Sequence, residues 1–343
     1  MTNRDVTATD GASSVQAALP DRLVAGARQF IAAARAERTR TAYAKSWAAF
    51  VGWCGAHGRT ALPASADTIA AWMTDLAQAG RAASTINAMV AAVAVAHRTA
   101  GHPLDRKSPL IADVWKGIAN ETARAPRQAR PMLAGDLKAL LEDLRCRAPS
   151  DARDAALLAL GWAAALRRSE LVGLDWQATG TGTGSLSIDE RGLVVTLNRS
   201  KASQGEAVTV VVPCADMPAA CEAVRAWVDL AKLEPGTPVF RPVDKGQHIG
   251  TDRLTDRSVS RIIKARIWAR AVAAGKSEVE ADAMVESFSG HSLRAGYATA
   301  AASADVPAYR IQQHTRHKTA EMVNRYIREA DKWTKSGLKG VGF

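Results

Sequence analysis

The last third of the chain concentrates residue types that hold anions and move protons. His291 and Arg294 stand three apart in His291-Ser-Leu-Arg294, directly after Ser289-Gly290. His317 follows, and Tyr326 comes nine residues after it, inside the segment MVNRYIREA. Upstream, Leu166-Arg-Arg-Ser-Glu-Leu171 puts Arg167 and Glu170 three apart, on one face if the segment is helical. A guanidinium donates from a planar fork that matches the oxygens of a phosphate. An imidazole gives or takes a proton near neutral pH. Two such forks, two imidazoles and a phenol form a set suited to chemistry at an anionic oxygen.

In this order, the pieces resemble the tyrosine recombinase (phage integrase) family. That family carries an R-x-x-E-L-type motif, a lysine in a β-hairpin, an H-x-x-R box, a second His or Trp, and a Tyr nine residues later. The resemblance extends over nearly the whole chain. Overall length and the short segment after the tyrosine resemble most the Cre-like members. Two departures are His317, which stands where the Cre-like members have Trp, and a segment a few residues longer between the basic helix described below and the H-x-x-R box. The family resemblance implies a tyrosine hydroxyl that attacks a DNA phosphodiester, leaving a 3′-phosphotyrosine and a free 5′ oxygen. The bond energy is conserved, so the resemblance implies no ATP and no cofactor. It makes Tyr326 the nucleophile, rather than Tyr43, Tyr297 or Tyr309, and Arg167 and Arg294 the ligands of the non-bridging oxygens. Lys201, in the loop Arg199–Ala207, becomes the general acid for the leaving oxygen; read without the family it is a solvated turn lysine. His291 is expected to assist proton transfer at the tyrosine and His317 to donate to a phosphate oxygen. Glu170 is expected to orient a basic residue, with a plain helix-face ion pair as the alternative. His314 and His317 are three apart, but no nearby Cys or acid completes a metal site, and none is expected.

The elements that must position these residues follow from periodicity and breakers. Helical patterns run near 22–35, 39–57, 66–79, 83–100 and 108–121, broken at Gly58 with Pro63, at Gly80, and at Gly101 to Pro103. The stretch ETARAPRQARPM, 121–132, reads as an extended basic linker. Helices resume near 134–145 and 151–166. Then Ser185–Asp189, Leu193–Asn198 and Val208–Val212 read as a three-stranded antiparallel meander. The pattern is helical again from Asp216. The expected fold is mainly α with a small antiparallel β-sheet: a disordered segment 1–20, a helical domain 21–121, a linker 122–132, and a mixed α/β catalytic domain 133–343. By resemblance the first domain is the core-binding domain, and the two domains form a clamp on DNA.

Candidate DNA contacts follow. Arg257, Arg261 and Lys264 share one face of a predicted helix whose Val259, Ile262, Ile263 and Ile267 gather on another. A basic stripe over an apolar anchor suits the major groove, and equally suits a solvated amphipathic helix. In the first domain, helices beginning at Thr39-Arg-Thr-Ala-Tyr43 and Ser84-Thr-Ile-Asn87 offer Thr41, Lys45, Arg81, Thr85 and Asn87; Ser84 could instead serve as an N-cap. After Tyr326 the chain carries Trp333, Leu338, Val341 and Phe343, which by resemblance dock on a neighbouring subunit or else pack in cis.

Bulk properties agree with such a partner. Among 343 residues, 45 Lys and Arg stand against 34 Asp and Glu, a formal charge of +11 that favours polyanions. The 47% apolar and 23% charged content is that of a soluble globular chain. Cys54, Cys146, Cys214 and Cys221 form no C-x-x-C pair and are expected to be reduced thiols in a cytoplasmic protein. The longest apolar run, Ala155–Leu166, is too short to cross a bilayer, so no membrane partner is expected. The expected partners are double-stranded DNA with inverted-repeat sites and three further copies of the chain. A topoisomerase IB-like activity and a non-catalytic DNA-binding role on the same scaffold are the competing readings.

Overall fold

The computed structural model describes residues 37–122, 129–145, 148–198 and 207–331, with Arg22, Ala25, Gly26, Gln29 and Phe30. The expected helix 22–35 and the tail after Asp331 therefore lie largely or wholly outside the described residues. The chain divides into two compact units, Met1–Pro126 and Arg127–Phe343.

The first unit is helical: α1 (Glu37–Ala56), α2 (Ala66–Gln78), α3 (Ala83–Thr99) and α4 (Pro109–Glu121). Ser65 caps α2 by accepting from the Thr68 amide, and Pro109 opens α4 where its missing N–H costs nothing. Helix α1 packs on α3 and α2 on α4. The seam is filled by Phe50, Ile69, Trp72, Met73, Ile86, Val90 and Val93, all at most 2% exposed. Each such side chain contributes about 1.5–3 kcal/mol by leaving water. His97 belongs to this core: Nε2 accepts from the Ala64 amide and Nδ1 donates to the Val93 carbonyl. The α3 cap is Ala82, with no side-chain hydrogen bond, so Ser84 is not the cap that the sequence allows.

The second unit is built on α6 (Pro149–Ala163), preceded by α5 (Ala134–Asp143) and followed by the short α7 (Arg168–Val172). Every residue of α6 from Ala152 to Ala163 is buried, and the helix packs along α8 (Pro218–Ala231). Four strands follow α7: β1 (Leu174–Trp176), β2 (Gly184–Ile188), β3 (Gly192–Leu197) and β4 (Val208–Pro213), in the order β1-β2-β3-β4. The expected meander is β2–β4, antiparallel throughout, but β1 adds to it parallel to β2, so the sheet is mixed. Strand β1 escapes a period-two reading because it has three residues, all buried, with an acid in the middle. Asp175 is fully buried there because Arg253 pairs with it and the amides of Gly180 and Gly182 donate to it.

Helices α9 (Asp256–Ala273), α10 (Glu278–Glu286), α11 (Ser292–Ser303), α12 (Ala308–Thr315) and α13 (Ala320–Asp331) complete the unit. The expectation of reduced thiols is corrected: Cys214 and Cys221 form a disulfide with Cα atoms 5.7 Å apart. Cys214 directly follows β4 and Cys221 lies in the first turn of α8, so the intervening turn, rather than sequence spacing, makes the pair. Cys54 is free and buried. The described end of the linker is bound, not free. Arg130 and Met132 donate main-chain hydrogen bonds to Ser287 and Ser292, and Met132 is fully buried.

This docking requires a bare backbone on α11. A Cβ at Gly296 would lie 1.9 Å from the Met132 carbonyl oxygen and 2.9 Å from Trp162 Nε1, which itself donates to that carbonyl. Overpacking of this kind costs about 1–3 kcal/mol and outweighs the helix propensity that alanine gains. Gly296→Ala should therefore lower the urea midpoint; an unchanged or higher midpoint would mean that segment 129–133 lifts away freely.

Candidate active site

The site is assembled around the end of α6. After Ala163 the chain turns through Ala165 in the left-handed region (φ 46°) and enters α7 at Arg167. A helix C-terminus leaves its last carbonyls without intrahelical partners and carries partial negative charge. Here three successive carbonyls are met by basic side chains. His314 Nε2 lies 2.7 Å from the Ala163 oxygen. Arg316 Nη1 donates to Ala164 at 3.3 Å and Nη2 to Ala165 at 2.9 Å. Arg294 Nη1 donates to Ala165 at 2.8 Å.

Glu170, 5% exposed, joins this cluster to Arg167. Its carboxylate accepts from the Arg167 amide at 2.9 Å, from the Arg167 guanidinium, and from Arg316 Nη2 at 3.1 Å. Arg167 Nη2 reaches the Arg316 carbonyl at 3.4 Å. Burial by itself would raise the Glu170 pKa. The charges of Arg316 and Arg167 and the Arg167 amide more than offset it and hold the carboxyl below its ordinary range. Glu170 thus binds basic residues on both sides, which goes beyond a helix-face ion pair.

Arg294 is 1% exposed and its Nη2 has no hydrogen-bond partner among the described residues. Burial, and then the charges of Arg167 and Arg316, lower its pKa to about 9, so it remains charged at neutral pH. An anion beside Nη2 would relieve both the missing bond and the crowded charge.

The remaining predicted groups face the same place. His291 occupies the N-cap position of α11 without a side-chain cap, and the preceding Gly290 amide donates to Ser260 Oγ of α9. Its Nε2 is 3.0 Å from the Tyr326 hydroxyl. The His317 ring stacks against Tyr326 with centroids 5.7 Å apart, and its Nδ1 contacts Thr315 Oγ1 at 2.7 Å. Burial first, then nearby arginines, lower the pKa of both histidines, His317 to about 3; His291 still keeps an exposed edge. Burial raises the Tyr326 pKa while Arg294 and Arg325 pull it down. At neutral pH the arrangement is a protonated phenol, a neutral imidazole in contact with it, and two guanidiniums.

Arg167, Glu170, His291, Arg294, His317 and Tyr326 are therefore gathered in one place. Lys201 lies outside the described residues, between β3 and β4. Of the predicted DNA contacts, Thr41 and Lys45 are exposed on α1, Arg81 in the α2–α3 turn, and Thr85 and Asn87 on α3. Asn87 is already engaged, accepting from the Arg106 guanidinium. On α9, Arg257 and Arg261 are exposed and Lys264 is half-buried, while Val259, Ile262, Ile263 and Ile267 are buried. The sequence reading missed Arg106 and Arg316. It weighed His314 only as a metal ligand, whereas the imidazole binds a helix end and stacks on Tyr297 at 4.4 Å. Adjacency to His317 was the one signal available for Arg316.

The lowered histidines carry a pH signature. Burial is the first cause for both His314 and His317. Each is neutral in the folded protein at pH values where the unfolded chain, near 6.5, takes up a proton. Their contribution to stability is complete above about pH 6.5 and is lost as pH falls toward the folded values. Urea unfolding of the DNA-free protein should show falling stability from pH 7 to 5, with a shallower slope in His314→Asn. A flat profile would mean that these imidazoles are not held neutral.

The profile described as the phage integrase family matches residues 132–332. The chain is 33% identical over 318 residues to an integrase/recombinase xerD homolog of Selenomonas ruminantium, covering 91% of this chain and 87% of that protein. Identity to recombinase cre of Escherichia phage P1 is 25% over 302 residues, covering 84% and 82%. Among solved structures, a lambda integrase (75–356) dimer bound to a COC' core site superposes with a TM-score of 0.54 at 16% identity, covering 92% of this chain and 97% of that one. The fold is shared at that distance, and the profile match together with the xerD-homolog identity shows that this chain belongs to the phage integrase family.

Proposed function

We propose that the protein is a site-specific DNA recombinase that cleaves and rejoins DNA through Tyr326. The observation that carries this reading is the 3.0 Å contact between His291 Nε2 and the Tyr326 hydroxyl, near an Arg294 nitrogen without a partner among the described residues. The Tyr326 oxygen attacks the scissile phosphorus and passes its proton to His291. The P–O5′ bond breaks, leaving a 3′-phosphotyrosine, and the 5′ oxygen takes a proton from Lys201. Arg167 and Arg294 hold the non-bridging oxygens as negative charge develops; each such donor is worth roughly 3–4 kcal/mol in the transition state. His317 donates to a phosphate oxygen once the phosphate's charge favours its protonated form. Rejoining reverses the step, with the 5′ hydroxyl of another strand as nucleophile.

DNA is the partner that fits. The exposed Arg257 and Arg261 with Lys264 stand on an apolar-anchored helix suited to a major groove, and α9 also supports the His291 turn through Ser260. In the first unit, the exposed Thr41, Lys45, Arg81 and Thr85 would meet phosphates, and Asn87 would act together with Arg106. Core-binding and catalytic domains joined by the basic linker would close on the duplex. Four copies would exchange strands through a Holliday junction on two inverted-repeat sites, linked by the segment after Tyr326.

The test uses nicked duplexes drawn from the gene's own neighbourhood, without ATP and in EDTA. The protein should form an adduct stable on a denaturing gel, mapping to Tyr326 by mass spectrometry and absent in Tyr326→Phe. Tight DNA binding with no adduct would support the non-catalytic reading instead. Relaxation of supercoils without exchange of partners would support the topoisomerase-like one.

A further inference from the structure

We propose that Arg316 is a positioning residue for cleavage: it neutralises Glu170 and locks the end of α6, so that Arg167 offers its full field, and Arg294 its fixed aim, to the scissile phosphate. The inference rests on the recombinase reading and adds a residue to its machinery.

Arg316 is 7% exposed, and its two terminal nitrogens carry four N–H groups. All four are engaged. Nη1 donates to the carbonyls of His314 at 2.8 Å and Ala164 at 3.3 Å; Nη2 donates to Ala165 at 2.9 Å and Glu170 at 3.1 Å. Arg316 thus has no terminal donor left for DNA; its inner Nε is buried without a partner among the described residues, whereas Arg294 leaves its terminal Nη2 without one. Its place is behind the phosphate, not against it.

The backbone supports the same conclusion. Arg316 has φ 56°, in the left-handed region where glycine is at ease and other residues are strained. A position chosen for the turn alone would favour glycine. An arginine there calls for a reason in its side chain, and the four hydrogen bonds supply one.

Charge explains what the clamp does. Arg167 and Arg294 are the two cations that would meet a phosphate, and Glu170 is an anion in contact with Arg167. Without compensation, Glu170 would cancel much of the field that Arg167 offers to developing negative charge. The ion pair from Arg316 to Glu170 supplies that compensation at a buried site, where charges are weakly screened. Arg316 and Arg294 also share the Ala165 carbonyl, so the clamp fixes the turn from which Arg294 is aimed. Lysine would keep the charge but not the fork, and has three donors for these four acceptors.

The test combines Arg316→Ala, Arg316→Lys, Glu170→Gln and the double variant Arg316→Ala/Glu170→Gln. Cleavage is read in single turnover on the nicked duplex that traps the wild-type adduct, DNA affinity by titration, and folding by thermal melting. Arg316→Ala should cut cleavage on the order of 10–100-fold, the usual effect of removing a group that orients a functional one, while DNA affinity changes by less than about threefold. Adding Glu170→Gln should restore part of the rate, because it removes the charge that Arg316 neutralised. A merely structural arginine predicts the opposite, a double variant slower and less stable than either parent. If Arg316→Ala does not fold, the neutral Arg316→Gln, alone and with Glu170→Gln, carries the same comparison. Wild-type rates in the Arg316 variants, or no recovery in the double variant, would overturn the proposal. A second arm needs no cleavage. Inorganic sulfate, at constant ionic strength against chloride, should raise the melting temperature of the wild type more than that of Arg316→Ala. Absence of a wild-type adduct would refute the recombinase reading alone, while equal sulfate shifts would refute the role of Arg316 alone.

Discussion

The catalytic unit turns on the meeting of one helix end with three basic side chains. Helix α6 runs through the middle of the core and stops at Ala163 with its terminal carbonyls pointing away from any helical partner. His314, Arg316 and Arg294 take up the carbonyls of Ala163, Ala164 and Ala165. The interaction does two things together. It satisfies buried main-chain acceptors that would otherwise cost about 1–3 kcal/mol each. It also brings segments about 130 to 150 residues apart in sequence to one point, to within the width of a hydrogen bond. Glu170 extends the lattice to Arg167, so both guanidiniums that face the site are referred to the same rigid helix.

Much of the surrounding architecture keeps that helix end in place. The extended segment at Met132 lies against the bare backbone of Gly296, two residues beyond Arg294, and Trp162 of α6 donates to the same Met132 carbonyl. Arg253 binds the carbonyls of Val172 and Leu174 at the exit of α7 and neutralises Asp175 in β1. Arg266 of α9 pairs with Asp151 and Asp154 on α6. The helix that carries the basic stripe is thereby fixed to the helix whose end forms the site. The basic face of α9 and the geometry at Tyr326 therefore share one support.

How far the sequence could be read depended on how local each signal was. Arg167, Glu170, His291, Arg294, His317 and Tyr326 were legible because their types and order survive in one dimension. The helices and strands β2 to β4 were legible from period and breakers. Strand β1 was not, because three buried residues with a neutralised acid have no period. The disulfide was not, because it depends on the turn between β4 and α8. Arg316 was hidden for a deeper reason. Its acceptors Glu170, Ala164 and Ala165 lie about 150 residues away, and its backbone conformation leaves no mark on residue type. Asn87 was legible as an exposed polar residue on a helix, but its link to Arg106 was not.

Arg294 and Arg316 are held in place by protein acceptors in the DNA-free protein. The most direct measurement is side-chain NMR of the DNA-free protein labelled with 15N-arginine, with signals assigned through single Arg→Lys variants. Slow solvent exchange and restricted rotation of the Arg294 and Arg316 guanidiniums, against fast exchange at the exposed Arg257, is the predicted result. Exchange at Arg294 and Arg316 as fast as at Arg257, slowing only when DNA is added, would contradict the account and make the lattice a product of binding.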